Sequence, residues 1–184
     1  LARLKTDLET YYTREFADEY VARTGNRPAT DKQFQPLDDD SIAVQYEYIR
    51  KNAHPLGQKH LLDKASDDSK YSAAHGKYHP VFRSFLEKFG YYDIFLVDIA
   101  SSDVVYTVFK ELDFTTNLKT GPYAASNIGR VFRLAAASEK GVVSLVDYEP
   151  YTPPTKTPPA SSPHRSTAKA ERLASSSSRS PSIA

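Results

Sequence analysis

No cysteine, methionine or tryptophan occurs anywhere in the 184 residues. Without cysteine there is no disulfide frame, no thiolate metal site and no cysteine nucleophile. That absence is compatible with an oxidising compartment. Without methionine, and with Leu1 first, the sequence is expected to be a piece of a longer chain. No apolar run approaches the ~18 residues of a membrane span, and no leader peptide precedes the first charged helix. Any membrane helix is therefore expected outside these residues. A Gly-rich phosphate loop and a Gly-x-Ser-x-Gly elbow are also missing, and no Ser/His/Asp spacing marks a triad, so catalysis is not expected. No cofactor motif occurs.

Tyrosine and phenylalanine are plentiful, at 13 and 9 residues, enough for an aromatic-rich core. The net charge of +1 is unevenly spread. Residues 151–184 hold five of the 24 basic side chains (Lys156, Arg165, Lys169, Arg172 and Arg179) and one of the 23 acidic ones, Glu171. The first 150 residues keep 19 basic and 22 acidic groups, a net charge of −3, which gives no footing to nucleic-acid binding.

Periodicity orders the chain. Leu1, Leu4, Leu8, Tyr11, Tyr12, Phe16 and Tyr20 recur at helical spacing and predict a long amphipathic helix that ends before Thr24–Pro28. Its apolar stripe suits either dimerisation or packing on its own domain. A second helix carries Ile42, Val44, Gln45, Tyr48 and Ile49, with Asp39 or Asp40 as cap. A third runs through Tyr71, Tyr78, Phe82, Phe85, Leu86 and Phe89 to Gly90, with Pro80 expected to kink or divide it. The period then switches to two. Residues 91–99 and 104–112 read as antiparallel strands around a Ser-Ser-Asp turn. A helix from Pro122 towards Gly141 and a third strand at 142–150 follow. Helices followed by strand, strand, helix and strand make an α+β fold.

Four stretches carry a resemblance: Tyr46–Lys59 (YEYIRKNAHPLGQK), Tyr71–Asp98 (YSAAHGKYHPVFRSFLEKFGYYDIFLVD), Val104–Phe132 (VVYTVFKELDFTTNLKTGPYAASNIGRVF) and Leu145–Pro153 (LVDYEPYTP). They resemble the extracytoplasmic Cache (PAS-like) sensor region of bacterial methyl-accepting chemotaxis proteins and related transmembrane receptors. The resemblance covers residues 1 to about 153. It implies a periplasmic sensor domain on an inner-membrane protein, with a membrane-proximal helix feeding an antiparallel sheet and a small-molecule pocket on one sheet face. It also implies membrane helices elsewhere in the receptor and a homodimer as the signalling unit. Residues 1–150 are then the sensor domain, helical to residue 90.

The family pattern continues with two more strands, and this chain departs from it. Residues 151–184 hold six of the twelve prolines and nine serines, and from Pro153 to Ser182 the only large apolar side chain is Leu173. Two readings stay open. One is a disordered linker. The other is an out-of-frame translation, from about residue 154, of the two final strands, because Ala160–His164 and Ala174–Ile183 shift with suitable codons into sequences of that type. On either reading the sheet is incomplete at its C-terminal end.

Candidate site residues cluster after residue 100. Alternation along the second strand sends Tyr106 and Lys110 to one side, an aromatic wall beside a cation. Asp113 follows in the loop. Tyr123 and Ser126 open the next helix, whose N–H groups favour an anion. Asp147 lies on the third strand, and Arg83 on the helix before the first strand. Together they predict a pocket rim for a small polar or zwitterionic ligand of amino-acid or carboxylate type: Lys110 and the helix start for a carboxylate, Asp113 or Asp147 for an amine. The plainer alternative is a rim salt bridge of Lys110 with Glu111 or Asp113. His75 and His79 stand at i and i+4, a metal-compatible spacing, but no Glu follows His75 and Pro80 follows His79. A structural role near the kink is expected and no metal site.

Overall fold

The computed structural model describes residues 1–28, 37–146 and 168–171, and within them the chain is α+β. Helix α1 (Ala2–Tyr11) passes through a π-helical stretch, Tyr12–Phe16, into α2 (Ala17–Thr24). Gly25 ends the run at φ 74°, a left-handed position that favours a residue without Cβ. The first helix packs on its own domain: Leu8, Tyr11, Tyr12, Phe16 and Tyr20 are all buried in the main core. Helix α3 (Asp39–Gln45) leads into a second π-helical stretch, Tyr46–Arg50. Its cap is Asp38, whose carboxylate accepts from Ser41 N at 2.8 Å, one residue before the two expected. Helix α4 (Lys70–Phe89) is capped by Ser69 and runs as one element through Pro80, which does not divide it.

Strands β1 (Phe95–Val97) and β2 (Val104–Thr107) pair antiparallel, with Leu96 opposite Tyr106. Both are shorter than predicted. β2 ends because the backbone turns: Lys110 and Thr115 lie at φ 57° and 62°. Helix α5 spans Asn127–Ala137 and begins five residues after Pro122, because 121–126 form turns in which Ala124 N donates to Gly121 O and Ser126 N to Tyr123 O. Strand β3 (Val143–Val146) does not join the first hairpin. It pairs antiparallel with β4 (Ala168–Glu171), a strand in the stretch expected to be a linker or a frame-shifted tail. Among the described residues the predicted single sheet is thus two separate two-stranded sheets, with α5 packed on the second.

Two cores hold these elements. Leu8, Tyr12, Phe16, Tyr48, Ile49, Phe114, Leu118 and Phe132 belong to the larger. A smaller one gathers Leu86, Tyr106, Val108 and Phe109, with Phe82, Ile94 and Leu96 against it. A buried polar chain fastens the helices to the loop after β2. Tyr12 Oη donates to Gln45 Oε1 at 3.0 Å, and Gln45 Nε2 donates to Phe114 O at 2.6 Å. Each group finds a partner, as burial demands. Among the described residues no helix is long and apolar enough to cross a membrane.

Candidate functional site: an aromatic cleft between α4 and the first hairpin

Helical spacing places Tyr71, Ala74, His75, Tyr78 and Phe82 along one side of α4. Across from them stands the Leu96–Tyr106 pair of the hairpin. Between the two lies a cleft of about 350 Å³, lined by these seven residues. Its size falls in the range of small-molecule sites, and its walls are largely ring faces and aliphatic carbon.

The polar atoms of the walls are largely committed. Tyr71 Oη donates to Val105 O at 3.0 Å, stitching the start of α4 to β2. His79 Nε2 is 2.7 Å from His60 O, so this nitrogen carries the proton and donates. Nδ1 is then an acceptor, and Tyr106 Oη donates to it at 2.7 Å. His75 Nδ1 donates to Asp63 O at 2.7 Å, which leaves Nε2 as a bare lone pair on the far edge of the ring. That atom is buried and has no hydrogen-bond partner. The two imidazoles stack, with centroids 4.3 Å apart. Burial, reinforced by the nearby Lys110 charge, pushes His75 down to about 2 and His79 to about 4, so both rings are neutral near pH 7. Burial likewise raises the Tyr71 and Tyr106 phenols, which stay protonated.

Beneath Tyr106 lie the charges that were expected at a rim. Lys110 is only 3 % exposed and Asp113 0 %. Lys110 sits beside Tyr106, as expected, but for another reason. The strand has already ended, and the left-handed turn folds the side chain back until Nζ stands 4.3 Å from the Tyr106 ring centroid. The ammonium donates to Thr107 O, and Val108 O lies 3.5 Å away. No Lys110–Asp113 ion pair forms; the carboxylate that holds up the Lys110 charge is that of Asp93. Asp93 Oδ1 accepts from Ile94 N, Val108 N and Phe109 N at 2.6, 2.9 and 3.3 Å, pinning the hairpin ends together. Burial raises the Asp93 carboxyl, with Asp113 adding to the rise, and burial lowers the Lys110 ammonium. Asp113 instead lies near the tyrosines of the main core: burial raises the Tyr12 and Tyr123 phenols, and the Asp113 charge adds to the rise.

The remaining predicted site residues do not converge on the cleft. Arg83 binds Asp63 Oδ1 at 2.7 Å and donates to His60 O at 3.0 Å. Tyr123 is buried in the main core and precedes α5 rather than opening it. Ser126 is the α5 N-cap residue, and its hydroxyl donates back to Tyr123 O at 2.6 Å. Asp147 lies outside the described residues. His79 has the structural role expected of it, both nitrogens being hydrogen-bonded. Sequence reasoning missed His75 as a wall residue and Asp93 as the partner of Lys110. The i, i+4 spacing was the only available signal for the first, and the strand-opening position of Asp93 gave none for the second.

In this arrangement the one N–H of each neutral imidazole is spent on a backbone carbonyl, and the Tyr106 hydroxyl is held by His79 Nδ1. No family model, curated protein or solved structure matches the chain.

Proposed function

We propose that this chain is the ligand-sensing, non-catalytic extracytoplasmic domain of a bacterial chemoreceptor or related transmembrane signal transducer. The cleft between α4 and the Leu96–Tyr106 pair is the observation that carries the reading. It is a helix-against-sheet pocket of small-molecule size, and of the residues expected at a ligand site Tyr106 lines it. A ligand in the cleft touches α4 and the hairpin at once. Its differential affinity for two settings of these elements is what a signal across the membrane requires. On this reading the domain is periplasmic, the membrane helices belong to the wider receptor, and the receptor works as a homodimer.

A thermal-shift screen with a broad metabolite set tests the proposal. A saturable rise in melting temperature from one stoichiometric small molecule is expected, abolished by filling the cleft with Ala74→Trp. A second reading is a binding or interaction module with a vestigial pocket. The exposed cluster Phe85, Phe89 and Tyr91, with Phe85 and Phe89 centroids 4.5 Å apart, favours it. A screen without a hit supports that alternative.

A further inference from the structure

The cleft also selects a class of ligand. We infer that its ligand is an uncharged, apolar molecule of aromatic-hydrocarbon type that makes no hydrogen bond to the walls. This rests on reading the cleft as the ligand site.

Three observations lead there. First, size and walls match. The cleft holds about 350 Å³, and an apolar cavity of about 150 Å³ already takes benzene. Tyr71, Tyr78, Phe82 and Tyr106 offer rings, and Ala74 and Leu96 add aliphatic carbon. Such a lining suits a ring that stacks or meets edges. Second, the walls have almost nothing polar to offer. Tyr71 Oη is spent on Val105 O and Tyr106 Oη on His79 Nδ1. His75 Nδ1 is held on Asp63 O, and its Nε2 is buried. Of the lining side chains only Tyr78 keeps a hydroxyl for other use, and it is half-exposed to water. A polar group that leaves water for this cleft therefore loses hydrogen bonds that the walls do not replace. Third, charge of either sign is disfavoured. An aromatic box often takes an organic cation. Here Lys110 Nζ already stands 4.3 Å from the Tyr106 centroid, and a second cation meets its field. A carboxylate finds no donor, because the basic groups beside the walls are engaged: Arg83 by Asp63, Lys110 by Thr107 O. Lys77, 4.9 Å from the Tyr78 centroid, is exposed and not part of the lining.

Toluene, phenol, benzoate and benzylammonium form the test set, since they share the ring and differ in polarity and charge. Calorimetric titrations at pH 7 use the 184-residue chain. Saturable binding of one toluene per chain is expected, with phenol weaker and both ions at least tenfold weaker. Ala74→Trp, which fills the cleft from an exposed position, abolishes toluene binding. Tyr78→Ala, which removes a half-exposed wall, weakens it several-fold and serves if the first variant fails to fold. Phenol, benzoate or benzylammonium binding as tightly as toluene overturns the inference. So does toluene binding that a folded Ala74→Trp or Tyr78→Ala leaves unchanged. If toluene fails while the metabolite screen yields a polar ligand in the cleft, this inference falls and the sensor reading stands. If both fail, both fall, and self-association of the chain that Ala74→Trp abolishes would assign the cleft to a second copy.

Discussion

Replacing His79 by glutamine is expected to reduce the acid sensitivity of this protein, leaving the share that belongs to the buried His75. His79 is fully buried and donates through Nε2 to His60 O while accepting from Tyr106 at Nδ1. Its folded pKa is about 4, against 6.5 in the unfolded chain. Below pH 6.5 the unfolded state takes up a proton that the folded state refuses until about pH 4. Stability tied to this ring is therefore complete above pH 6.5 and is lost as the pH falls towards 4. Between pH 7 and 4.5 the loss amounts to about 2 kcal/mol. That is a sizeable share of a typical stability of about 5–15 kcal/mol. Glutamine offers one amide N–H and one carbonyl at similar reach and does not titrate, so it keeps both hydrogen bonds without the penalty. Asp93 acts in the opposite sense. Its raised carboxyl pKa means that stability grows as the pH falls through the folded value. That contribution is common to both proteins and cancels in the comparison. Urea unfolding at pH 7 and 4.5, followed by circular dichroism, measures the difference. With a slope of about 2 kcal/mol per molar, the wild-type midpoint should drop by about 1 M more than that of His79→Gln. Equal drops for the two proteins would refute the assignment of a buried neutral His79.

Tyr106→Phe leaves His79 Nδ1 a buried acceptor without its donor, and should cost about 1–3 kcal/mol in urea unfolding. The same change in a His79→Phe background should cost much less, because the partner is already gone. Gly129→Ala puts a Cβ 2.5 Å from Ala124 O and 2.7 Å from Tyr123 O, both backbone atoms. It should therefore lower stability by about 1–3 kcal/mol, seen as a lower melting temperature. Arg23→Ala removes only the surface pair with Glu19 at 2.6 Å, and should change stability by less than about 0.5 kcal/mol.

Much of this architecture follows from the sequence. The helical spacing of Leu8, Tyr12, Phe16 and Tyr20 suffices to predict an amphipathic helix, and the apolar, β-branched run at 104–107 suffices to predict a strand. Gly25 and Gly90 mark helix ends because their left-handed backbone is cheap only without Cβ. These are local effects, settled within a few residues of chain. The α+β class follows from their order.

The candidate site was less legible, because its chemistry depends on contacts between distant segments. Period-two alternation put Lys110 beside Tyr106. The structure puts it there through a left-handed turn that buries the ammonium and turns it towards Thr107 O. No local pattern announces that Asp93 pins residues 108 and 109. Nor does any reveal that His60 O, nineteen residues before His79, fixes the tautomer of that ring. His75 shows the limit most plainly. As a letter in the sequence it is one of a pair at metal-like spacing. Only tertiary packing spends one nitrogen on Asp63 O and leaves the other buried without a partner. The elements were determined by neighbouring residues. The protonation states, the buried charges and the unmet acceptor on His75 were decided by tertiary structure, because burial and hydrogen-bond partners come from parts of the chain that the sequence keeps apart.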